Sequence, residues 1–358
     1  MNKNSNPFIT RFFTEYAGLK CTFMEVCGTH TNVIRKAGIH RLLPPGIRLL
    51  SGPGCPVCVT GSGYIEQAII LSRRPEIIIT TFGDLLKVPG NTETLSEARA
   101  KGAQIRVVYS PLDAVTLARA NPAREVVFLG VGFETTAPVI ALAVQEARDS
   151  GLKNFSVLPA LKILNPALRA LLSSASFRID GLIAPGHLSV IVGADSLAFL
   201  PEKFNLPTVI TGFRTPEIWL GLEALARQIK TGSVQLENKY SQVVTPAGNS
   251  AAQKLIKEFF IPEFTEWRGL GGIDASGFGF QESYRDFDAR RRFGLTPIPS
   301  EEPAGCLCGW ILLGKAGPED CPYFDGACTP DHPVGPCMVS SEGACAAHYY
   351  YRDLPSFD

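Results

Sequence analysis

Short apolar segments alternate with amphipathic segments along the first two thirds of the chain. I-I-I-T-T at residues 77–81 and V-V-F-L-G-V at 126–131 are typical of buried strands, and the stretches between such runs have helical periodicity. Parallel strands are buried between helix layers, so this alternation predicts an α/β fold. Strands are predicted at 21–26, 47–50, 77–81, 105–109, 126–131, 155–158, 181–184 and 208–211, and helices at 63–73, 92–101, 111–120, 138–150, 165–174 and 216–230.

The number of strands predicts two α/β domains with parallel sheets, and the loops after their strands are expected to form a cleft between them. N-P-A-R at 121–124 interrupts the pattern, which places the boundary there: domain I covers 19–121 and domain II covers 122–232. The alternation of strand-like and helix-like segments ends after residue 232. Residues 233–358, together with 1–18, are therefore predicted to form a third, irregular, cysteine-rich domain.

Charge and hydropathy exclude some classes of function. The chain has 34 basic and 34 acidic residues, and the only block of like charge is the arginine triplet at 290–292. Nucleic-acid binding is disfavoured, because it requires a clustered basic surface. Residues 1–20 lack the apolar stretch of a signal peptide, and no run approaches the length of a membrane span. These features predict a cytoplasmic protein that does not bind membranes.

The last sixth of the chain is rich in cysteine. Four thiolates are enough for zinc or for an iron–sulfur cluster, and a segment with much Gly and Pro cannot build a large core without such a centre. Disulfides are the alternative, which a reducing cytosol disfavours. The spacing lacks the C-x2-C pairs of zinc ribbons and weakly favours a larger cluster. The six cysteines are Cys306, Cys308, Cys321, Cys328, Cys337 and Cys345.

Two further cysteine motifs lie near the N-terminus. Cys55-Pro-Val-Cys58 follows a Gly- and Pro-rich turn, and this pattern is compatible with a redox-active dithiol, a metal clamp or an incidental pair. Cys27-Gly-Thr-His30-Thr follows a predicted strand, so Cys27 is placed where α/β proteins locate their chemistry. His30 could be a second ligand or lower the thiol pKa. The alternative is a capping turn in which Thr29 and Thr31 cap a helix that starts near residue 32.

Glycine-rich loops follow several other predicted strands. G-V-G-F-E-T-T at 130–136 is one, and A-P-G-H-L-S at 184–189, with His187, is another. A lone G-x-G is weak support for a dinucleotide site, and the chain has no phosphate-binding P-loop motif. His187 is interpreted either as a cleft residue or as an ordinary turn histidine. Glu342, between tail cysteines, is interpreted as a proton relay, a partner for a cation or a surface carboxylate.

Four motifs in this order resemble the HypD family of hydrogenase maturation factors. They are C-G-T-H-T at 27–31, G-P-G-C-P-V-C at 52–58, G-F-E-T-T at 132–136, and a tail with Cys306, Cys321, Cys328 and Cys345. The resemblance implies two α/β domains and a third domain with a [4Fe-4S] cluster. It also implies a role in assembling the Fe(CN)2CO unit of [NiFe]-hydrogenases, with a small HypC-type partner and a HypE-type cyanide donor.

The resemblance also assigns roles to residues. Cys306, Cys321, Cys328 and Cys345 would hold the cluster, and Cys308 and Cys337 fall outside the pattern. Cys27 would hold the iron beside His30, while Cys55 and Cys58 would exchange electrons with the cluster. Backbone N–H groups of Gly-rich loops can bind cyanide nitrogens, which predicts an iron-unit binding role for Gly132, Phe133, Glu134, Thr135 and Thr136.

The implied protein is a redox-active assembly scaffold rather than a conventional turnover enzyme. Two alternatives remain: a free-standing thiol oxidoreductase that uses its cluster, and a zinc-stabilised α/β binding protein.

Overall fold

Two β-sheets and their flanking helices form the framework of residues 7–353, the part of the chain that this computed structural model describes. The strands are β1 Cys21–Glu25, β2 Ile47–Ser51, β3 Ile77–Thr81, β4 Ile105–Val107, β5 Glu125–Gly132, β6 Phe155–Lys162, β7 Gly181–Pro185, β8 Thr208–Thr211, β9 Leu236–Asn238, β10 Phe260–Trp267 and β11 Gly271–Phe280.

The helices lie between these strands and in the C-terminal tail. They are α1 Pro7–Glu15, α2 Gly28–Lys36, α3 Ile39–Leu42, α4 Pro56–Val59, α5 Ser62–Ser72, α6 Leu95–Ala100, α7 Pro111–Ala120, α8 Ala137–Asp149, α9 Leu164–Ser173, α10 Gly186–Val192, α11 Phe199–Phe204, α12 Thr215–Thr231, α13 Ser250–Phe259, α14 Ala289–Arg292, α15 Cys308–Leu312 and α16 Ala344–Tyr351.

Local sequence explains where several helices begin. At α7, the Ser110 side chain accepts a hydrogen bond from the backbone of the first turn, and Asp113 accepts one from the Ser110 N–H. Pro111 occupies the first helical position, where its missing N–H is not needed. Thr94 and Glu97 form the same reciprocal capping box at α6.

The two sheets have different strand orders. The first, sheet A, has the order β2-β1-β7-β8-β9 and is parallel throughout. The second, sheet B, has the order β10-β11-β6-β5-β3-β4; its strands β6, β5, β3 and β4 are parallel, and the antiparallel hairpin β10–β11 extends it beyond β6. The predicted α/β class with two largely parallel sheets is therefore confirmed.

The grouping of strands differs from the division predicted at residue 121. β3, from the predicted domain I, pairs with β5, from the predicted domain II, with Ile77 opposite Glu125. β1 likewise pairs with β7, with Phe23 opposite Gly181. The chain thus begins sheet A, builds most of sheet B and then returns to sheet A. Hydrophobic periodicity locates strands but carries no information on their partners, which is why the predicted boundary separates paired strands.

The region predicted as an irregular third domain also contributes to both sheets. β9 is an edge strand of sheet A, and the hairpin β10–β11 belongs to sheet B. Helix α1 buries Ile9 and Phe12 against α12, where the Phe12 and Trp219 rings lie 5.3 Å apart. From residue 281 to residue 353, which includes the cysteine-rich tail 306–353, the described chain consists of short helices and turns without strands. Residues 1–6 and 354–358 of the predicted third domain lie outside the described residues.

None of the helices between residues 7 and 353 combines the length and apolar character that crossing a membrane requires.

Candidate metal centre and thiol site

Cys27 lies where β1 ends and α2 begins. Its backbone is extended, with φ −152° and ψ 120°, and α2 starts at the next residue, Gly28. In sheet A, β1 is beside β7, and the chain leaves these two strands towards opposite edges of the sheet. Open α/β sheets bind ligands at the carboxyl ends of such a strand pair. Cys27 is therefore at the ligand-binding crevice that this topology predicts.

Helix α2 begins about one turn earlier than predicted, so the two threonines of the motif lie inside its first turn and do not cap it. Thr29 Oγ1 donates a hydrogen bond to Glu342 Oε1 at 2.7 Å. Thr31 Oγ1 donates to Glu25 Oε1 at 2.5 Å. These hydroxyls hold two carboxylates beside the thiol. They do not accept hydrogen bonds from the free backbone N–H groups at the start of the helix.

The free Cys27 thiol is protonated at neutral pH. Burial raises its pKa to about 12, while the backbone N–H groups of His30 and Thr29 oppose the increase. The negative charges of Glu25 and Glu342 raise this pKa further. His30 thus lowers the pKa of Cys27 through its backbone N–H, but desolvation outweighs this effect and the net pKa of the unligated thiol is raised.

His30 is completely buried beside Cys27 and is neutral. Its Nε2 lies 2.9 Å from the Gly212 carbonyl oxygen and 3.0 Å from Thr211 Oγ1. A carbonyl only accepts hydrogen bonds, so Nε2 carries the proton and Nδ1 is the free acceptor. Nδ1 has no hydrogen-bond partner among the described residues. Burial lowers the pKa of His30 to about 4. The ring thus offers a neutral nitrogen to the site.

An aromatic stack forms one wall of this crevice. The Phe213 ring lies 4.7 Å from the His30 ring and 3.9 Å from the His187 ring. Phe213 follows β8 and His187 follows β7, so the three rings come from the carboxyl ends of three neighbouring strands. His187 is thus a residue of this crevice. The sequence assigns no role to the Phe213 ring itself, because a single aromatic residue in a loop is no signal.

The two N-terminal cysteine motifs are in direct contact. The Gly28 N–H donates to the Gly54 carbonyl at 3.2 Å, and the Gly52 N–H donates to the Glu25 carbonyl at 2.7 Å. A Cβ atom on Gly54 would lie 2.1 Å from the backbone nitrogen of Cys27. Glycine at 54 therefore permits the turn before the dithiol to lie directly on the Cys27 backbone.

Gly54→Ala is expected to separate the two motifs and to destabilise the fold. The added methyl group meets backbone atoms, which cannot rotate away, so we expect a loss of about 1–3 kcal/mol, the usual range for overpacking. Gly18→Ala is the matched control, because no atom lies within 4 Å of a Cβ there. Chemical denaturation of both variants measures the difference. Equal stability of the two variants would contradict the close contact.

Cys55 and Cys58 form the start of α4, and both are buried. The Cys58 N–H donates to Cys55 Sγ at 3.3 Å, so Cys55 caps the helix that presents Cys58. The Cys58 thiol lies 4.0 Å from the Pro336 carbonyl of the C-terminal tail. The dithiol therefore lies between the Cys27 turn and the tail.

A connected set of thiols continues from Cys58 into the tail. Cys337 is completely buried and hydrogen-bonds to the thiols of Cys308, Cys345 and Cys58. These three contacts lower the pKa of Cys337 well below its usual range, because a thiolate at the centre accepts all of them. Cys308 also hydrogen-bonds to Cys306. Cys308 and Cys337, which have no assigned role in the sequence pattern, thus connect the dithiol with the tail cysteines.

The four predicted cluster ligands lie in the tail but are not joined directly by these contacts. Cys321, Cys328 and Cys345 are buried and Cys306 is half-buried, and all four are free of disulfides. Cys328 Sγ accepts a hydrogen bond from the Val334 N–H at 3.3 Å, a contact that also stabilises thiolate ligands. Within residues 7–353, no three His, Cys, Asp or Glu side chains are already gathered as a metal-ion site. The donor type and burial nevertheless fit a cluster with four thiolate ligands.

The tail also connects the ends of both sheets. Glu342 contacts Thr29 after β1 of sheet A, and Ser340 Oγ donates to Asp84 Oδ2 at 3.1 Å, just after β3 of sheet B. A Cβ on Gly28 would lie 2.4 Å from the Cβ of Glu342, so glycine there lets the tail approach the Cys27 turn. Glu342 is therefore beside the thiol site and not on a remote surface.

The G-F-E-T-T motif lies at the carboxyl end of β5. Gly132 is the last residue of that strand, and a Cβ there would collide with Thr136 at the start of α8. Thr135 is exposed, whereas the Phe133 ring is buried 5.8 Å from the Trp267 ring. Helix α4, which carries the dithiol, packs against β5. The motif is thus close to the helix that carries the dithiol. It lies at the carboxyl ends of β5 and β3, two neighbouring strands that the chain leaves towards opposite edges of sheet B.

Glu134 is a buried carboxyl group in this motif. Its Oε1 accepts a hydrogen bond from the Leu164 N–H at 3.0 Å, and its Oε2 has no hydrogen-bond partner within residues 7–353. Burial raises the pKa of Glu134 from its ordinary value of 4.5 to about 7. Near neutral pH the group is therefore partly protonated and can donate a hydrogen bond from a buried position.

Replacing Glu134 by Gln is expected to remove a pH dependence of stability. Because the pKa is raised in the folded state, the protonated form stabilises the fold below about pH 4.5, and this stabilisation is lost as pH rises towards about 7. Gln keeps the acceptor for Leu164 and does not titrate. Urea denaturation at pH 5 and pH 8 should show a smaller loss of stability for the variant. An unchanged pH dependence would mean that the Glu134 carboxyl is solvated.

Glu25 is a residue of the site that sequence reasoning missed. It is buried under Cys27, where Oε2 accepts a hydrogen bond from the Cys27 N–H at 2.9 Å. Burial raises its pKa to about 7. The sequence feature that could have identified Glu25 is its place at the end of the apolar strand C-T-F-M-E, where a buried acidic residue requires a hydrogen-bond partner.

Comparisons with known proteins agree with this arrangement of motifs. The HypD family model, described as "Hydrogenase formation hypA family", matches residues 8–352. A hydrogenase maturation factor HypD from Rhodobacter capsulatus is 45% identical over 334 residues, which cover 92% of this chain and 88% of the relative.

Two further relatives are similar at the same level. The hydrogenase expression/formation protein HupD of Azotobacter chroococcum mcd 1 is 44% identical over 335 residues, which cover 92% of this chain and 88% of the relative. The hydrogenase maturation factor HypD of Escherichia coli (strain K12) is 42% identical over 334 residues, which cover 93% and 90%.

Proposed function

The chain belongs to the HypD family of hydrogenase maturation factors, and on that premise we propose that it is the scaffold on which the Fe(CN)2CO unit of [NiFe]-hydrogenases is assembled. The contact between the Cys27 turn and the turn before Cys55 carries this proposal. It joins a crevice thiol to a dithiol through the Gly28 N–H and the Gly54 carbonyl. Iron held in the crevice and electrons held by the dithiol would thus share one site.

Cys27 would hold the iron as a thiolate, a soft donor suited to low-spin Fe(II) with cyanide and CO. Its pKa of about 12 means that the proton must leave when iron binds. Glu25 and Glu342 lie on either side of the Cys27 turn, and Glu342 is the partly exposed one. Glu342 is therefore the group through which this proton would reach solvent. The unprotonated Nδ1 of His30 is a second nitrogen available to the iron unit.

The motif of 132–136 would help to hold the cyanide ligands. Cyanide nitrogen accepts hydrogen bonds, and the protonated Glu134 carboxyl has an Oε2 without a partner within the described residues. Gly132 and Thr136 fix the turn that places this carboxyl at the end of β5. The contact of α4 with β5 keeps the motif close to the dithiol.

A [4Fe-4S] cluster held by Cys306, Cys321, Cys328 and Cys345 would supply single electrons to the site. Further thiols lie between these proposed cluster ligands and the crevice that contains Cys27. Cys308 and Cys337 hydrogen-bond to Cys345, and Cys337 also hydrogen-bonds to Cys58. Two of the proposed ligands, Cys306 and Cys345, therefore contact thiols that lead to the Cys55–Cys58 pair.

The burial of the dithiol disfavours a free-standing oxidoreductase. Cys55 is 3% exposed and Cys58 is fully buried, so a protein disulfide cannot reach either sulfur without a rearrangement of the tail. All ten cysteines are free thiols, which suits a reducing cytoplasm, and a HypC-type chaperone and a HypE-type cyanide donor are the partners we propose.

The test is anaerobic purification of the chain together with its small partner. Iron, acid-labile sulfide and infrared spectra are measured on the same sample. Bands in the cyanide and CO stretching regions, with iron in excess of the sulfide-bound amount, are expected. An active complex that has no such bands and reduces protein disulfides catalytically would favour the oxidoreductase. Zinc in place of iron would select the zinc-stabilised binding protein.

A further inference from the structure

A cavity of about 470 Å³ lies at the carboxyl end of β6, outside the thiol site. The carboxyl ends of parallel strands are where α/β sheets bind ligands, and the cysteine motifs do not use this part of sheet B. The walls are part apolar and part charged. They include Tyr64, Lys162, Phe264, Glu266, Arg290 and Pro299.

Lys162 is the unusual member of this lining. It is the last residue of β6 and is only 3% exposed. Its Nζ donates to Thr265 Oγ1 at 2.8 Å and to the Glu266 carbonyl oxygen at 2.7 Å. Within the described residues, no carboxylate forms an ion pair with it. A buried ammonium group without a counter-ion is costly, and the usual response is loss of the proton.

The two hydrogen bonds match a neutral amine. A neutral Nζ has two N–H donors and one lone pair, whereas an ammonium has three N–H donors. The Thr265 hydroxyl and the Glu266 carbonyl satisfy both donors of the neutral form. The lone pair of Lys162 is then free to react.

The charged groups around Lys162 do not stabilise its protonated form enough to offset burial. Arg290 forms ion pairs with Glu263 at 2.7 Å and with Asp288 at 2.9 Å, so the Glu263 carboxylate is already used. The Glu266 carboxylate accepts from Ser300 Oγ at 3.1 Å, and the hydrogen bond from Lys162 goes to the Glu266 backbone carbonyl. Burial dominates and lowers the pKa of Lys162 to about 7, against the opposing charges of Glu266 and Glu263.

We propose that Lys162 is an amine nucleophile that condenses with a small carbonyl compound bound in this cavity. The amine nitrogen forms a bond to the carbonyl carbon, and the carbonyl π-electron pair becomes a hydroxyl by taking a proton from nitrogen. The C–O bond then breaks and water leaves with the second amine proton, which gives an imine. A desolvated lysine in an apolar pocket is the form of this residue that makes Schiff bases.

The lining also indicates the class of ligand. With Lys162 neutral, the Arg290 guanidinium lies against the carboxylates of Glu263 and Glu266, so the cavity offers no excess positive charge to an anionic ligand. Tyr64, Phe264 and prolines supply apolar walls. An uncharged aldehyde or ketone of a few heavy atoms fits this combination.

The test is reductive trapping on the full-length protein. Glycolaldehyde and cyanoborohydride are added at pH 7.5 under argon, and peptide mass spectrometry measures the modification of each lysine. An ordinary lysine has on the order of 0.1% neutral amine at this pH, whereas a pKa of about 7 leaves roughly three quarters neutral. Lys162 should therefore react at least about tenfold faster than the exposed Lys254.

The pH profile gives a second, independent readout. The rate at Lys162 should rise with pH, pass its midpoint near pH 7 and then level off. An ordinary exposed lysine, with a pKa of about 10.4, is still mostly protonated at pH 9 and gives no such plateau. Lys162→Arg retains N–H donors and should abolish labelling at this position. Modification of Lys162 no faster than Lys254, or a profile without a plateau, would overturn the proposal. The wild-type profile decides the question even if the variant folds poorly.

Discussion

Cys27→Ala should abolish binding of the iron unit while the fold and the tail cluster remain. The thiol lies at the crevice between the carboxyl ends of β1 and β7, and the Gly54 turn lies directly on the Cys27 backbone. Loss of an outer-shell partner of a metal already costs about 10- to 100-fold, so loss of the ligand itself should exceed about 100-fold. The cyanide and CO infrared bands should disappear from the co-purified complex, and hydrogenase maturation should fall by at least the same factor.

Cys21→Ala is the matched control for this variant. Cys21 is also buried, at the start of the strand β1 that leads to Cys27, but it belongs to the apolar cluster that contains Ile9 and Phe12. Its replacement should cost about 1 kcal/mol of packing and leave the infrared bands in place. Visible absorbance of the tail cluster should be equal in the two variants. A Cys27→Ala protein that still matures hydrogenase would remove Cys27 from the iron site.

The sequence predicted the parallel-sheet elements well, because they follow simple patterns. The runs at 77–81 and 126–131 are β-branched and apolar, and both are strands buried on two faces. The hairpin β10–β11 was missed for the opposite reason. β11 reads G-G-I-D-A-S-G-F-G-F, in which the many glycines weaken the strand signal, and Pro262 interrupts the strand-like pattern of β10. Pairing with β6 at the edge of sheet B overrides that local preference.

The site was predictable only where its parts are short motifs. Cys27 follows a predicted strand, and its position at the carboxyl end of β1 agrees with that placement. The Glu342 carboxylate reaches Thr29 across 313 residues of sequence, a contact that no local pattern encodes. The positions of Cys308 and Cys337 could not be predicted either, since these residues connect the dithiol with the tail through tertiary contacts alone. Strand partners and thiol partners are set by the same long-range packing.

Cys328→Ala should remove the proposed cluster and loosen the tail. The tail has short helices and turns in place of strands, so much of its order would depend on bonds to a shared centre. Cys328 lies in the turn after Cys321, where its backbone N–H donates to the Tyr323 carbonyl at 2.7 Å. Iron and sulfide should fall from about four of each per chain to near zero, with loss of the visible absorbance.

Cys308→Ala separates loss of a cluster ligand from loss of a buried thiol. Cys308 is 3% exposed and Cys328 is 6% exposed, so both replacements leave a similar cavity, worth about 1 kcal/mol. Cys308 contacts Cys306, Cys337 and Cys345. Its variant should therefore keep iron, sulfide and visible absorbance, and the contacts of Cys337 with Cys58 and Cys345 should keep the dithiol connected with the cluster. Thermal denaturation should show a clearly larger loss for Cys328→Ala. If Cys328→Ala kept its visible spectrum and Cys308→Ala lost it, the cluster would be held by a different set of four thiols, with Cys308 among them.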